Sequence, residues 1–135
     1  MKLFKWDKDG GKDSPVDGLY VVEIKNLFSI VLLKFNDGMR EDFHSHAFTA
    51  LSWTLKGCMY EERLTSTGST YNNFPASWKP KFTPRNLMHR VRSIGKTWVL
   101  TFRGPWNKTW QEYDPIENKF TTLSHGRKVV SETYL

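Results

Sequence analysis

Short runs of β-branched and aromatic residues recur along this chain, each closed by a turn signal. Nowhere do apolar residues hold the 3.6-residue period of a helix. Strands of this length at regular spacing build a sandwich or a barrel. Residues 19–24 follow the Asp17-Gly18 turn, and residues 28–35 end at Asn36-Asp37-Gly38, an Asp-Gly hairpin signal. Further strands are expected at 41–46, 49–56, 58–64, 88–93 and 97–103, the last two joined at Gly95-Lys96. Residues 65–70 read as a polar loop, and 79–84 is punctuated by proline. Residues 110–113 and 129–134 are strand-like, Asp114-Pro115 is a turn, and 124–128 is expected to be exposed. Six Trp, nine Phe and five Tyr fit large side chains packed between sheets. The expectation is an all-β barrel in one domain of 135 residues, with residues 1–17 and 114–135 as extensions.

Several classes of protein are disfavoured. A lone cysteine, Cys58, excludes an intrachain disulfide and suits a reducing compartment. Residues 1–15 carry no apolar stretch of the signal-peptide kind. Glu23, Lys25 and Asn26 interrupt the most apolar run, residues 19–35, so no membrane span is expected. A cytoplasmic location follows as the expectation. The net charge is +6, and residues 79–111 hold eight Lys or Arg with no Asp or Glu. Such a stretch attracts anions or nucleic acid, but it also describes solvated strand edges. With no RNA-binding signature or zinc-finger spacing, nucleic acid is the less favoured partner.

Three of the four histidines form a pattern; the fourth, His125, lies in the polar tail. Side chains alternate across a strand, so His44 and His46 share a face only where the backbone is extended. A third imidazole, His89, from another strand would complete a set able to hold a metal ion. Imidazole suits Fe, Zn, Cu and Ni, whereas Mg and Ca prefer oxygen.

The spacing around these histidines resembles a known family. Gly38, five residues, His44-x-His46, ten residues and Gly57 are similar to the first motif of the cupins. Pro84-x-Asn86-x-x-His89 is similar to the second, with asparagine where glycine is usual. The pattern extends loosely through residues 97–105 to Trp110, as in small single-domain bacterial and phage cupins. The resemblance implies a double-stranded β-helix of jelly-roll type. It implies that His44, His46 and His89 converge on one divalent transition metal, Fe(II) in preference to Zn, Ni or Mn. One departure matters. The cupin glutamate three or four residues after the second histidine is replaced by Ala50 and Leu51, neither able to bind a metal. Either the site uses three histidines alone, as in thiol dioxygenases of the cysteine dioxygenase kind, or a carboxylate arrives from elsewhere.

Asp42 is the first candidate for that carboxylate, because it shares a strand face with His44 and His46 by period two. It would ligate, or accept the other ring N–H of a ligand histidine. Glu62 is the second; it and Glu61 follow Gly57 on the next strand, and one of the two is expected to face inward. A strand running without slip after His46 would place Ala50, Ser52 and Thr54 on the histidine face. Tyr60, Arg85 and Arg103 are candidate contacts for an anionic ligand. Arg90 adjoins His89 and points away, while Trp98, Trp106 and Cys58 read as packing residues.

Two functions compete on this reading. One is an Fe(II)-dependent, dioxygenase-like enzyme acting on a small polar or anionic molecule. The other is a non-catalytic module for an anionic small molecule or nucleic acid. A homodimer formed through an apolar outer face of residues 19–35 is compatible with both.

Overall fold

The computed structural model describes residues 1–39 and 42–135. Fourteen strands and no helix are found among them, so the all-β expectation holds. In order they are β1 (Lys2–Lys8), β2 (Val16–Ile24), β3 (Phe28–Phe35), β4 (Gly38–Met39), β5 (Phe43–His44), β6 (Ala50–Lys56) and β7 (Cys58–Thr65). Then follow β8 (Gly68–Pro75), β9 (Lys81–Thr83), β10 (His89–Ser93), β11 (Thr97–Arg103), β12 (Thr109–Asp114), β13 (Lys119–Ser124) and β14 (Lys128–Tyr134). One sheet runs β1-β2-β3-β11-β6-β9, and the other β14-β13-β12-β5-β10-β7-β8, with β4 also on β10. All pairings are antiparallel.

Period-two alternation decides what lies between the sheets. On β11, Thr97, Val99, Thr101 and Arg103 are buried while Trp98, Leu100 and Phe102 face outward. One apolar cluster joins Val16, Tyr20, Val31, Leu33, Met59 and Val99, with Phe35, Phe74 and Val91 against it. A second joins Ala47, Phe48 and Ala50 to Trp106 and Trp110. The turn between β6 and β7 requires glycine. Gly57 sits at φ +88, and a Cβ there would stand 2.5 Å from the Thr97 hydroxyl.

The outer face of the first sheet is unusually apolar. Register aligns Phe82, Leu51, Phe102, Ile30, Val22 and Leu3 in one row across all six strands. Trp53, Leu100, Leu32, Leu19 and Trp6 form a second row beside it. Four of the residues come from the 19–35 run.

Several expectations require correction. Residues 65–70 are not a loop: Ser66 and Thr67 make a tight turn, and the exposed edge strand β8 begins at Gly68. Its polar residues (Tyr71, Asn72 and Asn73 among them) lack alternation because neither face is deeply buried. Residues 1–17 and 114–135, expected as extensions, carry strands of their own. β1 pairs with β2 over its length, and β13 and β14 extend the second sheet. The expected strand at 41–46 starts at Glu41, outside the described residues, and its described part shrinks to Phe43–His44.

Candidate metal centre

The three histidines converge although only one of the first two lies in a strand. His44 pairs with His89 across β5 and β10 and with Glu112 on β12. After it the chain leaves the sheet. Ser45 N–H donates to the Gln111 carbonyl at 2.8 Å, and Ser45 Oγ accepts from Gln111 N–H at 3.0 Å. These ties turn His46 back toward the barrel interior. The ring centroids lie 4.9 Å apart for His44–His46 and His44–His89, and 5.1 Å for His46–His89. One nitrogen from each lies within 4.8 Å of the others, a spread one cation can bridge, and no carboxylate joins the group among the described residues.

Local contacts fix the rings. His89 Nδ1 lies 2.6 Å from Glu61 Oε2. Glu61 is ionised, so Nδ1 carries the proton and donates it, which leaves the Nε2 lone pair directed at the other histidines. His46 Nε2 lies 2.9 Å from His89 Nε2. Two lone pairs repel at that distance, so a proton or a cation must sit between them. Phe48 stacks on His46 with centroids 5.0 Å apart.

Burial works against the charge on Glu61, but hydrogen bonds from His89, Lys81 and Arg63 outweigh it and hold the carboxyl well below its usual range. Lys81 Nζ reaches Oε2 and Arg63 Nε reaches Oε1, each at 2.5 Å. Burial pushes the pKa of His46 well down, with neighbouring His44, His89 and Arg103 adding to it. Burial also lowers His89, more than Glu61 can offset. Both imidazoles are thus neutral near pH 7, the state that binds a metal.

A second carboxylate reaches the same cavity from the amino-terminal segment. Asp9, just past β1, receives Arg103 Nη1 and Nη2 at 3.0 Å each and the Tyr20 hydroxyl at 2.8 Å. Burial opposes its charge, yet Arg103 holds the Asp9 carboxyl below the usual value. Arg103 in turn lies over Phe48, 4.6 Å from the ring centroid. The cavity measures about 180 Å3. Its wall includes the three histidines, Asp9, Lys81 and Arg103.

The expected pocket residues divide sharply. Ser52, Thr54 and Ala50 line the cavity although the chain leaves the sheet between His44 and Ala50, and Ser52 Oγ donates to Thr101 Oγ1 at 3.0 Å. Arg103 lines it too, but engaged with Asp9. Asp42 is half-buried and lies outside the cavity wall. Tyr60 is 37% exposed and Arg85 is exposed. Tyr60 alternates outward from Met59 and Glu61, and Arg85 sits in the turn before β10. Glu62 also faces out, where it accepts from Arg90 at 2.7 Å, Ser69 at 2.8 Å and Tyr71 at 3.0 Å. Glu61 takes the inward position instead, by the same alternation that buries Met59. Of the basic stretch 79–111, Lys81, Arg90 and Arg103 are held in ion pairs. Asp9 carried no sequence signal, since its partner lies 94 residues away.

No protein-family model and no curated protein sequence matches this chain. Solved structures do. A sugar phosphate isomerase of the cupin superfamily from Silicibacter pomeroyi is similar at a TM-score of 0.59 and 12% identity, over 99% of this chain and 92% of that one. An RmlC-like cupin from Shewanella frigidimarina is similar at 0.57 and 14%, over 76% and 84%. The Fe(II) form of HppE is similar at 0.58 and 11%, over 73% of this chain and 55% of that chain, so this chain spans about half its length. The barrel is therefore the cupin fold, the double-stranded β-helix implied by the two motifs. No helix is long and apolar enough to cross a membrane.

Proposed function

We propose that this cupin-fold chain is a metal-dependent, dioxygenase-like enzyme acting on a small polar or anionic molecule. The observation that carries the reading is the three-imidazole cluster with His89 pinned by Glu61. His44, His46 and His89 would hold one divalent transition metal, Fe(II) in preference to Zn, Ni or Mn. Among similar structures, HppE is described with Fe(II) and a Bacillus subtilis oxalate decarboxylase with Mn(II). The metal supplies Lewis acidity and, for iron, one-electron redox chemistry.

The chain's own groups prepare the site. Glu61 fixes the His89 tautomer, and Arg63 and Lys81 keep Glu61 ionised. Burial keeps His46 and His89 unprotonated. With three neutral ligands, the cation's charge is not offset, which favours an anionic substrate. The ion pairs that hold Lys81, Arg90 and Arg103, three of the eight cations in the basic stretch, weigh against a nucleic-acid module. Pairing of two copies through the apolar rows of the first sheet is part of the proposal. The longer row crosses six strands, about 24 Å at the usual strand spacing.

Anaerobically purified protein should carry near-stoichiometric metal and take up oxygen with a member of a panel of thiols and small acids. Substoichiometric iron together with no uptake would overturn the enzymatic reading. Sedimentation showing only monomer at high micromolar concentration would remove the dimer.

A further inference from the structure

We infer that Phe48 is a positioning residue: its ring fixes the plane of the His46 imidazole. The inference deepens the metal-site reading, and its test separates the two.

The three imidazoles are held by unlike means. His44 lies in β5 and pairs along the backbone with His89 and Glu112. His89 lies in β10, and its Nδ1–H donates to Glu61 at 2.6 Å. His46 lies outside any strand. Its backbone N–H reaches the Arg85 carbonyl only at 3.4 Å, long for such a bond. The hydrogen-bond contact found for its ring among the described residues is the one to His89 Nε2, through the nitrogen it would turn to a cation. A ring so placed rotates about its side-chain bonds unless a neighbour blocks it.

Phe48 is that neighbour. The two rings stack at 24° with centroids 5.0 Å apart. Phe48 is 6% exposed, and its backbone is pinned on both sides. The Ala47 carbonyl accepts from Asn107 N–H at 2.6 Å, and the Thr49 carbonyl accepts from Gly104 N–H at 2.9 Å. The ring itself is hemmed by the Arg103 guanidinium, 4.6 Å from its centroid, and by the Trp106 ring at 5.3 Å. The support is therefore better fixed than the ligand resting on it.

A hydrogen bond and a stack do different things to an imidazole. Glu61 sets the direction of one nitrogen of His89 and raises the basicity of the other. Phe48 sets the plane of His46 and adds no charge. Its contribution to metal affinity is geometric, so it should follow the presence of a ring at position 48.

The test measures histidine-ring 13C relaxation in metal-free protein and Zn(II) affinity by competitive chelator titration. The proteins are wild type, Phe48→Leu, Phe48→Tyr and Leu123→Ala. Leu123 is buried on β13 and off the cavity wall, so its variant controls for lost stability. In metal-free Phe48→Leu the His46 ring should gain mobility on the picosecond–nanosecond scale, while His89, pinned by Glu61, should not. Zn(II) affinity should fall about three- to tenfold in Phe48→Leu, the worth of one aromatic pair. It should stay within about twofold in the other two variants. Affinity that holds in Phe48→Leu, or falls as far in Phe48→Tyr or Leu123→Ala, would overturn the inference. If Phe48→Leu does not fold, wild type decides: metal-free protein should show nuclear Overhauser contacts between the His46 and Phe48 rings, and their absence would overturn it. Protein that takes up no Zn(II), yet loosens His46 in Phe48→Leu, would sink the metal reading and keep Phe48 as the support of His46.

Discussion

Glu61 and Asp9 each neutralise a cation at the wall of one cavity, and they arrive there by different routes. Glu61 belongs to a strand, and alternation from Met59 carries it inward; its side chain is 0% exposed and works through His89. Asp9 lies outside any strand, keeps 25% of its side chain exposed, and works on Arg103. The partners differ as well. If Glu61 is lost, Lys81 can release a proton, neutral His89 carries no charge to strand, and Arg63 is 29% exposed and can turn to water, whereas the Arg103 guanidinium, 5% exposed, can do neither. The strand-borne carboxylate therefore tunes the metal site, while the strap-borne one is needed to bury a charge.

That contrast can be broken in four ways. Asp9→Ala strands a buried guanidinium and should cost about 3–5 kcal/mol in urea unfolding. Asp9→Ala combined with Arg103→Met should recover much of that loss. A cost below about 1 kcal/mol would mean that water replaces Asp9 freely. Glu61→Gln comes next: metal affinity should fall about 10- to 100-fold in a competitive chelator titration, while Asp9→Asn changes it by less than about threefold. Acid should act on both pairs. Each carboxyl is depressed in the folded state, so its stabilisation is complete above the ordinary carboxylate pKa and lost as pH falls below it. Urea midpoints should already decline as pH falls below about 6.5, because His46 and His89 are held neutral in the fold and are protonated when unfolded. They should decline further below about pH 4 as the carboxyl contribution is lost, that last part with a shallower slope in the Asp9→Ala/Arg103→Met variant. Glu62→Gln is the smallest effect. Its surface pair with Arg90 should contribute less than about 1 kcal/mol, and metal binding should not change.

The two carboxylates also measure what a sequence discloses. Period-two alternation and turn chemistry locate β6, β7, β10 and β11, and with them Ala50, Ser52, Thr54 and Arg103 on the cavity. The two histidine motifs lead to the centre itself. Alternation also separates Glu61 from Glu62, but only once Met59 is known to face the core, a choice that depends on the neighbouring sheet. Asp42 satisfies the same period and still lies off the cavity, because β5 begins at Phe43 and the period does not reach back to it. β8 and β13 escape because mostly polar residues such as Asn72, Asn73, Thr121 and Thr122 pair through their backbones without a deeply buried face. The Asp9–Arg103 contact joins distant segments, and no local pattern encodes it.

The sequence distance between Asp9 and Arg103 has a consequence for how the molecule comes into being. The loop closed by this pair spans most of the chain, and long-range closure is the slow part of β-protein folding. During synthesis the amino-terminal strap is made first and its partner about 94 residues later, on the order of 5–20 s at common elongation rates. Through that interval β1 has β2 to pair with, but Asp9 has no guanidinium. A nascent chain arrested before β11 should therefore show the β1–β2 hairpin protected and the cavity end open to proteases.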